Sequence, residues 1–356
     1  MPLFDASHLE DVTDRIFRAV GAPEPVARRV AHALVDANLA GHDSHGVIRV
    51  PSYIEAVQRG EVLPAADTEV LKETAVSALV DGGWGFGQVT AEKGTRLAID
   101  KAREHGLAAV AMVRCNHIGR LGEYSELAAA AGIVAFVTAG GFGGRGGKAV
   151  PFGGREGLFG TNPLSFGLPA GEADMVLVDF ATTAVAAGKI QLARAKGVPL
   201  PPGSIIDKEG NPTTDAEAFY SGGWMLPFGG HKGYGLSLVV ELLGRVLTGA
   251  DEYAEPGRGG PVYGRSGTLV IAIDPGLFRD RAAYARGVDE TLRQVKAVPP
   301  APQFPEVLVP GEPESRTRAD RQKKGVYVED STEAAIRQVA SSLGVDTASL
   351  AATAAS

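Results

Sequence analysis

Gly141-Phe142-Gly143-Gly144-Arg145-Gly146, followed by Gly147-Lys148-Ala149-Val150-Pro151-Phe152-Gly153-Gly154, is the stretch on which the fold turns. Its first six residues satisfy G-x-G-x-x-G and follow an apolar run of strand length at 133–138. A dinucleotide fingerprint of that form needs a helix to open inside it, so that backbone amides face a pyrophosphate. The glycines and the proline that come next cannot propagate a helix. No acidic residue closes a second strand at the expected distance either. The stretch reads as a turn-rich loop, and a Rossmann fold is rejected.

Composition narrows the rest. A chain of 356 residues can bury more than one core, so two or three domains are expected. The 47 glycines imply many tight turns and close backbone approaches. A net charge of −7 leaves no broad basic surface for phosphates, which excludes a nucleic-acid partner. The single cysteine, Cys115, excludes an internal disulfide framework and a multi-cysteine metal site; no metal is expected. The opening residues lack a basic stretch followed by an apolar run, and nothing reaches the roughly 20 apolar residues of a membrane helix. No membrane partner is expected, and the cytoplasm is the default location.

Working outward, the chain begins with helices. Ser7 and Glu10 form a capping-box pattern ahead of Leu9, Val12, Ile16 and Val20 at helical spacing. A second helix is predicted over 24–39 and a third over about 47–59. Strands are predicted at 69–72, 77–80, 107–113, 133–138, 165–168, 175–179 and 268–273. Further helices fit 88–105, 121–131, 182–196, 232–248 and 279–296. Six prolines between 299 and 313 predict an extended connector, followed by helices at 314–324 and 332–343.

Between the second and third helices stands Gly41-His42-Asp43-Ser44-His45-Gly46-Val47-Ile48-Arg49. On a continuous helix His45 and Arg49, four apart, would share a face. Arg49 suits a carboxylate through two parallel hydrogen bonds, and His45 suits proton exchange with an adjacent oxygen. A 2-oxo acid carries both groups. The plainer alternative is that Asp43 or Ser44 caps a helix and His45 is a surface residue. Downstream, Gly160-Thr161-Asn162-Pro163 offers compact donors and acceptors on a turn. Asp179-Phe180-Ala181-Thr182-Thr183 leads an acidic strand end into a helix start. Gly229-Gly230-His231-Lys232-Gly233-Tyr234-Gly235 opens a helix with an ammonium beside glycines, which suits an anion, though not with Walker spacing.

Taken in order, these segments resemble the malate/L-lactate dehydrogenase (type-2) family of NAD(P)-dependent oxidoreductases, whose relatives include ureidoglycolate dehydrogenase, sulfolactate dehydrogenase and piperideine-2-carboxylate reductase. The resemblance runs from about residue 5 to about residue 340. It rests on DSHGVIR at 43–49, NHIG at 116–119, FGTNP at 159–163, DFAT at 179–182, GNPTTD at 210–215, GGHKGYGL at 229–236 and PGEPE at 310–314 with Arg316. It implies an α/β, non-Rossmann, mostly antiparallel cofactor-binding sheet with a helical domain made from both chain ends. The domains would be 1–66 with 312–356, and 67–311, a small subdomain being inserted at about 115–175. It implies a homodimer and a small carboxylate substrate.

By the same resemblance His45 is the proton donor of the reductive direction and Ser44 its hydrogen-bonded neighbour. Arg49, Thr161 and Gly188 meet the substrate. NAD or NADP meets His117, Ile118, Gly119, Arg120, Leu121, Asp179, Phe180, Ala181, His231, Lys232, Gly311, Glu312 and Arg316. Where the cyclic-imine reductases carry an aspartate, this chain has Lys189, a cation that repels a protonated imine and polarises a carbonyl oxygen. The expected chemistry is hydride transfer between NAD(P)H and a 2-oxo/2-hydroxy acid of malate or lactate type. The alternatives are a cyclic imino-acid reductase, a Ser-His hydrolase on Ser44 (which lacks a G-x-S-x-G elbow) and a non-catalytic metabolite-binding protein.

Overall fold

The computed structural model describes residues 3–141 and 147–350. Residues 142–146, the middle of the glycine-rich stretch quoted first, lie outside them.

A helical layer opens the chain with α1 (Ala6–Ala19), α2 (Glu24–Leu39) and α3 (Val50–Gln58). The cap of α1 is Asp5, whose carboxylate accepts from the amides of Ser7 at 2.8 Å and His8 at 3.2 Å. This corrects the capping-box reading by two residues: the aspartate outcompetes the Ser7 hydroxyl, which itself donates to Asp5. Leu9, Val12, Ile16 and Phe17 of α1 bury against Val30 and Leu34 of α2. The far end of the chain completes this layer. There α11 (Glu312–Lys324) and α12 (Asp330–Ser342) flank β12 (Val326–Tyr327), which pairs antiparallel with β1 (Leu3–Phe4). Val326, Val328, Ile336 and Ala340 share one core with Phe4, Leu9 and Tyr53.

The centre is a mixed seven-stranded sheet. Its strands are β2 (Glu69–Glu73), β3 (Ser77–Asp81), β4 (Leu107–Val113), β5 (Val134–Gly140), β6 (Leu164–Leu168), β7 (Val176–Phe180) and β11 (Gly267–Ile273). Their order is β2-β3-β4-β11-β5-β6-β7. Only β3 and β4 pair in parallel, joined across α4 (Gly87–His105); the other neighbours are antiparallel. The late strand β11 enters between β4 and β5, with Val270 opposite both Val110 and Val137. Helix α4 and α5 (Gly122–Ala130) cover the sheet through Ala91, Ala98, Ala102, Tyr124 and Ala128, mostly small side chains that let helix and sheet approach closely.

A smaller unit with its own core gathers residues at about 149–159 and 185–225, on either side of β6 and β7 in the chain. It holds α6 (Ala187–Lys196), α7 (Ala216–Tyr220) and a three-stranded sheet of β8 (Ile205–Ile206), β9 (Pro212–Thr213) and β10 (Trp224–Met225). Two expected helices are shorter than their patterns. The one predicted from 182 starts at Ala187, because Thr182 is held in a bend, its hydroxyl shared between the Thr161 and Asn162 carbonyls at 3.0 Å each. The one predicted over 232–248 is α8 (His231–Glu241), followed by a π-helical segment, Leu242–Leu247. The short α9 (Gly260–Tyr263) precedes β11, and α10 (Arg281–Lys296) follows it.

Candidate active site

The 41–49 segment is not one helix. Two 3-10 turns, Asp43–His45 and Val47–Arg49, are separated by Gly46 in an extended conformation. Asn38 dictates the break: its side-chain oxygen accepts from the Val47 amide at 2.9 Å. A Cβ on Gly46 would stand 2.2 Å from that oxygen, so only glycine fits. The shared helical face expected for His45 and Arg49 is therefore corrected. Arg49 instead folds back toward the 43–45 turn, its Nε donating to the Ser44 carbonyl at 2.7 Å.

Ser44 Oγ lies 3.0 Å from His45 Nδ1. The imidazole stacks on that of His117, with centroids 5.6 Å apart and an interplanar angle of 20°. His117 leaves β4 through a kinked segment in which Arg114 and Asn116 both take positive φ. That backbone strain is held by Asn116, which donates to the carbonyls of Trp84 and Gly85. Beyond His117 lie Tyr263, with ring centroids 5.6 Å apart, and Tyr53, whose hydroxyl meets His117 Nδ1. Sequence reading missed Tyr53, Gln88 and Tyr263, which no motif marks. It grouped His117 with the cofactor segment; in the fold the ring of His117 stacks on that of His45.

Electrostatics single out Arg49. Among the described residues it has no carboxylate partner: Asp43 pairs with Arg321 at 2.6 Å and Glu55 faces Arg59 at 3.4 Å. Burial pushes the His45 imidazole down to about 3, and the charges of Arg49, His42 and Arg120 push the same way. His117 is likewise held well below the usual range by burial, then by Arg49 and His45. The pocket thus holds two neutral imidazoles and one uncompensated guanidinium.

Gly188, at the start of α6, packs against Ser44; a Cβ there would sit 3.1 Å from Ser44 Cβ. The helix start Ala187–Lys196 has no side-chain cap, and Lys189 in its first turn is exposed. Thr161 is tied to the next segment by the Thr182 amide, 2.9 Å from its carbonyl, and Phe228 reaches the Thr182 carbonyl at 3.1 Å. Phe180 meets the Phe228 ring edge-on at 5.4 Å. This brings 161–162, 179–182 and the turn before His231 and Lys232 together. Both of those side chains are exposed, on a helix opened by Gly230.

The remaining segments gather at β7. Asp179 accepts from the Gly122 amide at 2.7 Å, and burial raises its carboxyl against the pull of His42, that amide and Arg120. Gly311 lies over Leu177, whose amide donates to the Pro310 carbonyl at 3.1 Å. Arg120 is 1% exposed and engaged with Glu126 at 2.6 Å and Asp36 at 3.2 Å. Ile118 and Leu121 are core residues beside it, and Gly119 turns the chain at φ 80°. Glu312 and Arg316 pair with each other and with Lys296 and Glu306. A cleft of about 530 Å³ opens between α2, α5, β7 and α11, lined among others by Asp36, Glu123, Leu177, Gly311 and Arg318. No group of three or more His, Cys, Asp or Glu among the described residues could hold a metal ion. No described helix is long and apolar enough to cross a membrane.

Two imidazoles, an arginine without a carboxylate partner among the described residues and a set of glycine-flanked turns thus gather around one sheet, and the comparisons with known proteins make the chain an oxidoreductase of the hydroxy-acid dehydrogenase class. Comparison with known proteins gives the family. Residues 4–337 match the malate/L-lactate dehydrogenase family, and the chain belongs to it. It is 38% identical over 347 residues to hydroxycarboxylate dehydrogenase B of Escherichia coli (strain K12), covering 96% of this chain and 94% of that one. It is 36% identical over 325 residues to a Δ1-pyrroline-2-carboxylate/Δ1-piperideine-2-carboxylate reductase of Pseudomonas putida, covering 90% and 92%. The solved sulfolactate dehydrogenase of Methanocaldococcus jannaschii superposes with a TM-score of 0.87 at 34% identity, covering 97% of this chain and 98% of that one.

Proposed function

We propose that the enzyme transfers a hydride between NAD(P)H and a small 2-oxo acid, giving the 2-hydroxy acid, and the reverse. The observation that carries this reading is Arg49, a guanidinium without a carboxylate partner among the described residues, placed beside the neutral His45. A buried-side cation of that kind calls for an anion, and its planar fork matches a carboxylate. With the carboxylate on Arg49, the 2-oxo group lies toward His45, which exchanges a proton with that oxygen. Neutralising Arg49 removes one of the charges that keep His45 deprotonated, so substrate binding itself favours the protonated acid needed for reduction. Ser44 orients the ring through Nδ1. Thr161, Gly188 and Lys189 complete the substrate side, Lys189 as a cation toward the oxygen.

The residues fit a nicotinamide dinucleotide, which when bound supplies the hydride. Exposed Lys232 at a glycine-opened helix start suits a pyrophosphate, as do the unused amides at the start of α6. The 118–121, 179–181 and 310–316 segments converge on β7, where the remainder would lie, while His117 at the head of the first faces His45. A homodimer follows from the family resemblance. A panel of 2-oxo acids, assayed with NADH and with NADPH, tests the reading and ranks the cofactors. Faster reduction of cyclic imino acids than of any 2-oxo acid would replace it with the imine-reductase alternative.

A further inference from the structure

His117 sits at the end of a hydrogen-bond chain that the proton exchange at His45 does not use. Gln88, fully buried on α4, donates from Nε2 to the Tyr53 hydroxyl at 2.8 Å. Tyr53, on α3, in turn meets His117 Nδ1. The direction of the chain follows from what each end can tolerate. In this orientation Gln88 Oε1 is stranded and one of its two N–H groups is paired. The opposite amide orientation would strand two buried N–H donors, which proteins avoid more strictly than an unmet carbonyl. With its oxygen accepting from Gln88, the Tyr53 hydroxyl is left to donate. His117 Nδ1 must then be the acceptor, and the ring proton is on Nε2. That nitrogen has no protein partner among the described residues, and the ring carrying it lies between His45 and Tyr263.

We propose that Gln88 and Tyr53 are positioning residues that hold His117 as the Nε2–H tautomer, so that it offers a hydrogen bond to a substrate oxygen beside His45. The inference rests on the reading of this pocket as the substrate site. Two adjacent imidazoles with free choice of tautomer would be ambiguous, since His117 in the other form turns a lone pair toward the same electron-rich oxygen. The chain removes the ambiguity and leaves His45 as the proton carrier.

The test uses the full-length enzyme with 15N-labelled histidine. The His117 signal, assigned by its loss in His117→Asn, reports the tautomer directly and needs no turnover. Wild type is expected to show Nε2–H. Gln88→Glu puts an acceptor where the donor stood, reverses the chain and is expected to give Nδ1–H. Tyr53→Phe removes one oxygen and is expected to bring in the Nδ1–H form even if the buried carboxylate of Gln88→Glu prevents folding. In both variants kcat/KM for the best 2-oxo acid should fall by about tenfold or more, the usual effect of one lost hydrogen bond, with unchanged affinity for NAD(P)H. Nδ1–H in wild type, or an unaltered tautomer in Tyr53→Phe, overturns the proposal. A wild type that shows Nε2–H yet reduces no 2-oxo acid would instead bring down the substrate reading and leave the lock standing.

Discussion

In the proposed reaction His45 carries the proton step, and its surroundings set how it responds to removal and to pH. His45→Ala should reduce 2-oxo acid turnover by at least ~10²-fold while NAD(P)H still binds, as fluorescence titration would show; a loss within tenfold contradicts the role. The same residue shapes stability. The unfolded chain takes up the imidazole proton near its ordinary value of 6.5, whereas the folded protein resists it until about 3. Stability due to this group is therefore lost as pH falls through that window and levels off near the lower value. His45→Asn should lose less of its melting temperature between pH 7 and pH 5 than wild type does, measured by thermal denaturation. For Arg49, exchange to lysine keeps the charge and discards the fork. Arg49→Lys should lower kcat/KM for a 2-oxo acid by at least about tenfold, from the ~1.5–3 kcal/mol of a charged hydrogen bond, and leave a decarboxylated ketone analogue nearly unaffected. Equal losses on both substrates would sink the carboxylate clamp.

Elements are held in register by ion pairs that also bear on how the site could be read. Arg120 joins α5 to α2 through Glu126 and Asp36, and Asp36 is held below its ordinary range because Arg318 and Arg120 outweigh the effect of burial. Removing Arg120 takes one of two guanidinium partners from Asp36 and Glu126, since Arg318 also pairs with both. Arg120→Ala should cost about 1.5–3 kcal/mol in denaturant unfolding, from the charged hydrogen bonds lost, whatever it does to the cofactor. Regular elements were legible: 24–39 and 107–113 are bounded in the structure as in the sequence pattern. Their periods were long enough to speak for themselves. The two-residue strands β8, β9 and β10 carry no period and went unread. The break at Gly46 was hidden because its cause, Asn38, lies on another element. In the site, Ser44, His45 and Arg49 are adjacent in sequence and were found together. Tyr53 and His117 are 64 residues apart, and Gln88 is 35 from Tyr53, so their chain exists only after folding.

At the scale of the molecule, both ends of the described chain close one core. A truncation after Lys324 would strip β12 and α12 from Phe4, Leu9 and Tyr53. It should abolish cooperative unfolding of the helical layer, followed by circular dichroism, and silence the His45 pocket with it; a truncated protein with normal turnover would show the closure to be dispensable. The sheet order could not have been foreseen, because nothing in 267–273 announces that it slots between β4 and β5. The same closure sets a schedule. Asp43, one residue from Ser44, is clasped by Arg321, which follows 278 residues later. At a ribosome's pace of ~5–20 residues per second, the turn at 43–45 waits roughly 14–56 seconds for its clasp. Until that arginine emerges, the nascent chain lacks the ion pair that ties Asp43 to α11.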